Sequence, residues 1–457
     1  MYASKLFTKS ALTAALITAL IPAANAATDA EVDALRNEVA QLRAMIMQQQ
    51  HNPAPMHAMP AGQPPAAPTK GFKMNTASGA EVELYGTLRA DAAYVLEGND
   101  NYTSNIPGVG APGTAGNTED KLNTSVQSTR FGLNFKSDTK DANKLGGKLE
   151  VDFVNGANNS DGSLRIRHAY LTYNDWLAGQ TKSTFLGHSP EILDAGTNVG
   201  TGFKRVPMVR YQHNLMPDTQ VMVGLEQGKS AGNSTNAKYQ LPTLVARVNQ
   251  NFAGKQGVAS LRGLVESYDA ERPGTAAVAP INVLAADGTT IVGTIPGKAA
   301  TAGATDSMTG YGIGAGVNYK FNKMFEGFAD VNYVKGNSGL VHGTTNAYAF
   351  NGDEAEANEA LSWMVGGAFN INPKLRSTIG YSEVNFDDSS DYAKIASIAT
   401  GTGAASNEKL HSIFANLIYS PVKQVDLGVE YHDGQRETFN GTKFDDDRVS
   451  VTAAYKF

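Results

Sequence analysis

The final segment of the chain alternates between apolar and polar side chains up to its last residue. One face carries Val449, Val451, Ala453, Tyr455 and Phe457, and the other carries Ser450, Thr452, Ala454 and Lys456. In a soluble protein, such an apolar strand would form an exposed sheet edge that favours aggregation. In an outer-membrane barrel, the same strand closes the sheet, with its apolar face towards lipid and its polar face towards the lumen. The segment therefore predicts a transmembrane barrel and argues against a soluble enzyme.

The same period of two recurs from about residue 81. Sixteen alternating segments lie near residues 81–94, 130–136, 148–153, 165–173, 176–183, 206–213, 221–225, 244–248, 261–265, 311–321, 325–334, 363–371, 375–381, 413–419, 425–431 and 449–457. This even number suits a single-chain bacterial barrel and leaves an aqueous channel. We therefore predict an all-β protein with a 16-stranded antiparallel transmembrane β-barrel over residues 76–457. A soluble β-sandwich is the alternative, but it would not explain tyrosines near strand ends, which a membrane interface prefers.

The connections between these segments alternate in length. Short ones include residues 322–323, 372–374 and 420–423, whereas long ones include residues 98–125, 185–205, 269–308 and 385–409. Barrels of this class keep short turns in the periplasm and long loops outside the cell. The first strand then runs outward, and residues 27–75 lie in the periplasm.

Residues 1–26 have the features of a secretory signal. Lys5 and Lys9 supply positive charge, residues 11–21 form a short apolar core, and residues 24–26 (Ala-Asn-Ala) match a cleavage site. Removing the signal changes the net charge from −6 to −6 − 2 = −8. The chain has no Cys, which excludes a lipid anchor, a disulfide framework and thiolate metal sites. We therefore expect an exported protein of the cell outer membrane.

Two further segments precede the barrel. Residues 27–50 form a short helix whose apolar residues Val32, Leu35, Val39, Leu42 and Ile46 fall at coiled-coil core positions. This spacing predicts a periplasmic coiled coil that associates copies of the chain, although it does not separate dimer from trimer. A single amphipathic helix lying on another surface is the alternative. Residues 51–75 form a linker, since residues 51–70 alone hold six of the 18 prolines.

Strand parity places several arginines on the polar face: Arg89, Arg130, Arg210, Arg247, Arg262 and Arg376. A guanidinium group can bind a carboxylate through two parallel hydrogen bonds, so a ring of arginines suits anionic solutes. Such a ring favours anions in a narrow pore even when the whole protein is acidic. The alternative for each arginine is an ordinary wall residue paired with an acid such as Asp91, Glu150 or Glu266.

The motifs of the strands resemble those of the trimeric Gram-negative porins. These motifs are Leu84-Tyr85-Gly86-Thr87-Leu88, Ser128-Thr129-Arg130-Phe131-Gly132-Leu133, Arg167-His168-Ala169-Tyr170-Leu171, Gly179-Gln180-Thr181 and the C-terminal aromatic residue. The heptad helix, the Pro/Ala spacer and Asn416-Leu417-Ile418-Tyr419-Ser420-Pro421 make the whole chain similar to DcaP-like porins, the dicarboxylate-associated channels of some Gram-negative bacteria.

This resemblance implies a homotrimer with Arg130 and Arg167 at the pore constriction. It also implies that residues 185–205 fold inward and set Glu191 and Asp194 against the arginines. Parity conflicts with the family in the strand of Arg167, because an inward Arg167 also turns Ala169 and Leu171 inward and leaves His168 and Tyr170 on the outer face. An outward histidine is acceptable only where that wall is buried between subunits, as in a trimer. Thr87 also differs from the lumenal Lys of many general porins, which weakens any transfer of exact selectivity.

The sequence therefore predicts a passive diffusion channel that favours small anionic solutes such as dicarboxylates and contacts membrane lipid and lipopolysaccharide. No catalytic, cofactor, metal or nucleic-acid motif is found. Asp445-Asp446-Asp447 could bind Ca²⁺, or it could form a solvated loop or pair with Arg448. The alternative function is an envelope-anchoring barrel whose periplasmic helix engages peptidoglycan or a partner. Deleting residues 27–70 would abolish anchoring but leave a channel conductive.

Overall fold

A computed structural model describes residues 72–76, 79–114, 116–138, 143–154, 162–194, 196, 199–202, 204–232, 235–284, 291–398 and 406–457. The predicted signal, the coiled coil with Val32, Leu35, Val39, Leu42 and Ile46, and the linker up to residue 71 lie outside the described residues. The compact unit that holds all described residues runs from Gly62 to Phe457.

Sixteen long strands form the wall of the molecule. They are β1 (Glu81–Gly98), β2 (Arg130–Asp138), β3 (Lys144–Asp152), β4 (Arg165–Tyr173), β5 (Trp176–Lys182), β6 (Arg205–Met216), β7 (Thr219–Glu226), β8 (Thr243–Phe252), β9 (Gly257–Arg272), β10 (Ala304–Lys320), β11 (Phe325–Lys335), β12 (Glu359–Asn372), β13 (Leu375–Phe386), β14 (Asn407–Tyr419), β15 (Val425–Thr438) and β16 (Asp447–Lys456). Each strand pairs antiparallel with the next along the chain, and β16 pairs with β1. The predicted closed 16-stranded antiparallel barrel is confirmed.

The seam between the ends of the barrel is tight. Gly86 and Phe457 exchange both backbone hydrogen bonds, at 3.0 and 3.1 Å. A Cβ atom at residue 86 would lie 2.4 Å from Cζ of Phe457, so the aromatic ring covers this position only because it is glycine. The terminal strand thus closes the barrel, and its alternation is the one predicted: Val451 is 51% exposed on the outer face, whereas Thr452 is buried at 4% on the inner face.

The connections alternate in length, as predicted. Short connections join β2–β3, β4–β5, β6–β7, β8–β9, β10–β11, β12–β13 and β14–β15, and longer segments join the remaining neighbours. The strand ends that the short connections join share one rim with the first residue of β1 and the last residue of β16. Within the described residues, no helix is long and apolar enough to cross a membrane.

Shorter strands, one helix and two 3₁₀ turns lie outside the sixteen wall strands. They are the strands Phe72–Asn75, Thr118–Ser125, Ala231–Gly232, Thr235–Asn236, Lys238–Tyr239, Ile281–Leu284, Ile291–Ile295, Tyr348–Asn351, Glu354–Ala357 and Lys443–Asp445, the helix α1 (Asp391–Ala396) and two 3₁₀ turns, Ile106–Gly108 and Ala253–Lys255. Phe72–Asn75 pairs with the first residues of β1. The last four residues of the predicted linker, 72–75, are therefore a strand instead, because the edge of β1 below the seam is open to pairing.

Candidate functional site

The connection between β5 and β6, residues 183–204, lies inside the barrel and is termed the inward loop. Its described residues bond to inward side chains of many strands: Arg89 (β1), Arg247 (β8), Asn318 (β10), Asn332 (β11), Ser362 (β12), Arg376 (β13), Asn416 (β14) and Glu430 (β15). Because these strands surround much of the bore, the loop crosses the lumen and narrows it. It is the segment for which the resemblance to porins implied an inward path.

Glu430 on β15 holds the middle of the inward loop. Its buried carboxylate accepts hydrogen bonds from the backbone N–H groups of Leu193 and Asp194, both at 2.9 Å, and from Asn416 Nδ2 at 3.0 Å. On the other side, Arg89 Nη2 donates to the Leu193 carbonyl at 2.5 Å. Side chains of two strands therefore fix the backbone of Leu193 through both its donor and its acceptor.

Arg376 on β13 forms a two-pronged ion pair with Glu191 of the inward loop. The Nε–Oε2 distance is 2.8 Å and the Nη2–Oε1 distance is 2.7 Å, which is the bidentate geometry of strong guanidinium–carboxylate pairs. Asp426 lies on the same guanidinium group, with an Nη2–Oδ2 distance of 3.0 Å. Glu191 thus lies against Arg376 of the wall, and the charge of Arg376 is already balanced by two protein carboxylates.

Asp194 lies elsewhere than predicted. Its side chain is buried, with 3% exposure, and accepts hydrogen bonds from the backbone N–H groups of Ser104 at 2.7 Å and Gly196 at 2.9 Å. Burial raises the pKa of Asp194 above its ordinary value. The expectation that Asp194 faces the arginines across the bore is wrong, because the first long loop folds inward and covers it with the Ser104 backbone.

A β-bulge on β4 resolves the conflict over the side chains next to Arg167. Glu150 pairs with His168 and Val151 pairs with Ile166, so Arg167 has no partner residue of its own in the ladder. This extra residue lets Arg167 and His168 both reach inward partners: Arg167 Nε lies 2.7 Å from Glu150 Oε1, and His168 Nδ1 lies 2.9 Å from Thr181 Oγ1.

The bulge also corrects the faces predicted for the rest of β4. The expectation that Tyr170 and His168 lie outside while Leu171 lies inside is wrong. Leu171 is 56% exposed on the outer face, and Tyr170 packs inside against Leu177, Val206 and Met208. An outward histidine therefore no longer argues for a buried subunit interface at this strand.

Cationic side chains gather on the wall formed by β2 to β6. This basic cluster consists of Arg130, Lys148, Arg165, Arg167, Lys182 and Arg205, arranged around two carboxylates, Glu150 and Asp152. Arg167 bonds both acids at 2.7 Å, and Arg165 bonds Asp152 at 2.7 Å. Arg130 lies farther from Glu150, at 3.6 Å, and its side chain is 37% exposed.

Lys182 and Arg205 were missed by the sequence analysis. They lie directly opposite each other where β5 and β6 meet the inward loop, and both lie within electrostatic range of Arg130 and Arg167. Neither forms an ion pair with a carboxylate within the described residues. Since both sit at the ends of predicted strands, parity alone did not show that they turn towards the bore; the Gly179-Gln180-Thr181 motif leading into Lys182 was the available signal.

The remaining predicted arginines also point inward but have different surroundings. Arg89 binds Asp91 on its own strand, with an Nη2–Oδ1 distance of 2.7 Å. Arg247 donates to Asn249 and to the Leu186 carbonyl, and no ion pair is found for it or for Arg210 among the described residues. Arg262 is fully buried against Asp330, with an Nη2–Oδ2 distance of 2.9 Å, so it is a structural wall residue rather than one that solutes reach.

A cavity of about 190 Å³ lies between the inward loop and the seam strands. Its lining includes Arg89, Arg130, Glu191, Asp426 and Lys456. The structure therefore brings Arg89, Arg130 and Glu191 to one water-accessible space, while Arg247 and Arg262 lie on the opposite wall. In the inward loop, burial lowers the pKa of His188 to about 4, so this histidine adds no positive charge to the lumen at neutral pH.

The aspartate run near the C-terminus binds protein groups. Asp446 is buried, pairs with Arg448 at 2.5 Å and accepts a hydrogen bond from Ser104 Oγ at 2.8 Å. Of the three possibilities that the sequence left open, pairing with Arg448 is the one observed, and it involves Asp446. No cluster of three or more potential metal-binding side chains is found in the described ranges.

Comparison with known proteins identifies the family. The model of the DcaP outer membrane protein family matches residues 38–272 and 295–457. The chain belongs to the DcaP outer membrane protein family. It is similar to the solved outer membrane channel DcaP of Acinetobacter baumannii, with 40% identity, a TM-score of 0.71, and coverage of 85% of this chain and 99% of that chain.

More distant solved outer-membrane proteins share the fold. OmpT of Vibrio cholerae is 15% identical with a TM-score of 0.51 and covers 84% of this chain and 100% of its own. An anion-selective porin from Comamonas acidovorans is 14% identical with a TM-score of 0.51 and covers 83% and 100%. A comparison with curated proteins gave no match. Membership of the DcaP family confirms the resemblance and places the chain among the porin channels of the outer membrane.

Proposed function

We propose that this protein is a passive diffusion channel that favours small anionic solutes such as dicarboxylates, and that it works as a homotrimer. The basic cluster is the observation that supports this proposal. It places six cations around Glu150 and Asp152, and Lys182 and Arg205 have no carboxylate partner among the described residues. An anionic solute supplies the missing negative charge.

The arrangement also suits release of the solute. Arg167 and Arg165 are held by protein carboxylates, so they supply positive potential but keep their hydrogen bonds when a solute passes. Lys182 is exposed, and Arg130 is held less tightly than Arg165 or Arg167, because it lies 3.6 Å from Glu150 whereas they lie 2.7 Å from their carboxylates. Binding to a few flexible or partly solvated cations stays weak, and conduction requires solutes that enter and leave readily.

Ion selectivity tests the proposal directly. With purified protein in a planar bilayer under a salt gradient, we expect the reversal potential to show anion preference, because the cations of the cluster outnumber its carboxylates. Adding a dicarboxylate to one side should reduce the chloride current by competition. A clear preference for cations would contradict the proposal.

Removing cations of the basic cluster should lower the anion-to-cation permeability ratio. We expect Arg130→Gln with Lys182→Gln to move the anion-to-cation permeability ratio towards unity, because both remove accessible charge. Arg167→Gln should lower it as well, since it frees Glu150 and Asp152 to face the bore. Reversal potentials measure the ratio, and Lys323→Gln in a short turn is the matched control. Unchanged ratios in the cluster variants would remove these residues from the solute path.

The homotrimer is supported by a groove on the outer face near the seam. It has a volume of about 910 Å³, and its lining includes the small residues Ala90, Ala92 and Ala453 beside Val126 and Phe153. Small side chains on a lipid-facing wall allow another barrel to approach closely. The mass of the detergent-solubilised protein should correspond to three chains, and Ala90→Trp with Ala92→Trp should shift it towards one.

A further inference from the structure

Four consecutive short connections of the barrel each carry one exposed lysine. This basic arc consists of Lys255 (β8–β9), Lys323 (β10–β11), Lys374 (β12–β13) and Lys423 (β14–β15). Within the described residues, none of the four forms an ion pair with a carboxylate. The acid nearest in sequence to Lys423, Asp426, is already bound by Arg376 and Lys456. The basic arc therefore presents four uncompensated charges on one rim.

Two other short connections on the same rim carry acids instead. The β4–β5 connection contains Asp175, which pairs with His213 at 2.7 Å, and the β6–β7 connection contains the exposed Asp218. The lysines are thus collected along the rim from β8 to β15 and are not spread evenly around it. A one-sided collection of like charges attracts a partner of the opposite charge.

A cavity of about 380 Å³ lies between the second and third lysines of the basic arc. Its lining includes Lys323, Lys374, Met324, Ile371 and Arg376. Arg376 is held by Glu191 and Asp426, so Lys323 and Lys374 are the cations of the cavity that have no carboxylate partner in the described part of the chain. The cavity therefore combines two available ammonium groups with apolar side chains.

Apolar side chains also flank the basic arc on the outer wall. Phe321, Met324, Ile371 and Val422 each expose between 47% and 60% of their surface. Stacked aromatic rings continue along the wall next to them, with centroid distances of 5.1 Å for Phe321–Phe325 and 4.9 Å for Phe325–Phe369. A membrane–water interface favours aromatic rings at the level of the lipid headgroups. The basic arc therefore lies where headgroups meet the wall of the barrel.

We propose that the basic arc binds anionic phospholipids of the periplasmic leaflet, and that the cavity between Lys323 and Lys374 holds the phosphate group of one of them. Barrels of this class keep their short turns on the periplasmic side. A lysine ammonium group is a compact charge with three donors, which suits the oxygens of a phosphate group.

The apolar side chains favour a lipid over a soluble polyanion. A phospholipid covers Met324 and Ile371 with its acyl chains while its phosphate group meets the lysines, whereas a soluble polyanion leaves these apolar side chains uncovered. A headgroup with net negative charge is favoured over a zwitterionic one, because the ammonium group of a zwitterionic headgroup is repelled by the lysines.

Lipid co-purification tests this site. The protein is reconstituted in vesicles of phosphatidylglycerol and phosphatidylethanolamine in equal amounts, extracted in mild detergent, and its bound lipids are counted by native mass spectrometry. We expect the parent protein to retain phosphatidylglycerol about fivefold over phosphatidylethanolamine, the preference that corresponds to one lysine near an anionic headgroup. Lys323→Gln with Lys374→Gln should bring this ratio close to one.

A charge-matched control separates the site from general attraction. Lys229→Gln with Lys298→Gln removes two exposed lysines from the long connections and should keep the parent ratio. All variants should keep their heat-modifiable gel mobility and the reversal potential of the parent, so the result does not depend on the anion selectivity proposed above. A parent ratio near one, or equal ratios in the cavity variant and the control, would overturn the proposal. Lysine-dependent binding of peptidoglycan fragments without lipid enrichment would overturn it as well.

Fluorescence quenching locates the bound lipid. Because the chain has no native cysteine, one fluorophore can be attached at Gln256→Cys, beside Lys255, or at Met216→Cys, near Asp218 on the same rim. Spin-labelled phosphatidylglycerol should quench the fluorophore at residue 256 more strongly than spin-labelled phosphatidylethanolamine does, and the two lipids should quench the one at residue 216 equally. Raising the salt concentration from 0.1 M to 1 M shortens the Debye length from about 10 Å to about 3 Å and should remove the difference. Equal quenching by the two lipids at residue 256 in low salt would contradict the proposal.

Discussion

Arg262→Met is expected to lower the free energy of unfolding by about 3–5 kcal/mol, the usual cost of removing one partner from a buried ion pair. Arg262 and Asp330 both have fully buried side chains, and the Arg262 Nη2 group lies 2.9 Å from Asp330. Without Arg262, the Asp330 carboxylate would remain buried without its counter-charge. Urea unfolding in detergent micelles, followed by heat-modifiable gel mobility, measures the change.

Arg262→Met should also weaken the contacts that hold His188 and Gly200 of the inward loop against β11. Asp330 accepts hydrogen bonds from Asn332 Nδ2 at 2.9 Å and from the His188 backbone at 3.4 Å, and Asn332 Nδ2 also donates to the Gly200 carbonyl at 3.1 Å. If the charged Asp330 side chain moves towards water, its hydrogen bonds to Asn332 and His188 break, and the inward loop loses these anchors. Single-channel recordings should therefore show larger current fluctuations in Arg262→Met than in the parent protein.

A second substitution separates charge from packing. In Arg262→Met, adding Asp330→Asn removes the unpaired charge but keeps an acceptor for Asn332 and His188. Arg262 Nε and Nη1 form no hydrogen bond within the described residues, so a Met side chain loses little there. We expect the double variant to recover most of the lost stability. If it is as unstable as Arg262→Met alone, shape and not charge determines the contribution of Arg262.

The barrel could be predicted because its pattern is local. Each strand alternates between lipid and lumen, so the side-chain period alone gives the face of Val451 and Thr452, and the lengths of the connections give the direction in which each strand runs. This alternation misleads where a β-bulge adds a residue to one strand. The unpaired residue at Arg167 reverses the faces of the residues before it relative to those after it, and no residue type in that strand indicates the bulge.

The candidate site could be predicted only in part, since its contacts join distant segments. The pairing of Glu191 with an arginine followed from the resemblance, but its partner Arg376 is far along the chain. Asp194 looked like a lumenal acid because its covering residue, Ser104, lies ninety residues earlier in another loop. Glu430 was indistinguishable from other inward acids until the inward loop was placed against it.

Glu430→Ala should release the middle of the inward loop. The substitution leaves the N–H groups of Leu193 and Asp194 without their acceptor, at a cost of about 1–3 kcal/mol for each buried unpaired group. These N–H groups can regain an acceptor only if water enters or if the loop shifts away from β15. Single-channel recordings should then show a higher mean conductance with more frequent fluctuations than in the parent protein.

Two comparisons make the Glu430 experiment decisive. Glu430→Gln keeps one acceptor oxygen but turns an N–H₂ group towards a backbone donor, so we expect an effect between those of alanine and glutamate. Glu437→Ala is the matched control, because Glu437 lies on the same strand and pairs with Lys443 at 3.4 Å, away from the loop. If Glu430→Ala and Glu437→Ala conduct alike, then Arg89 and Arg376 suffice to hold the loop across the bore. If only Glu430→Ala becomes noisy, the buried carboxylate sets the width of the channel.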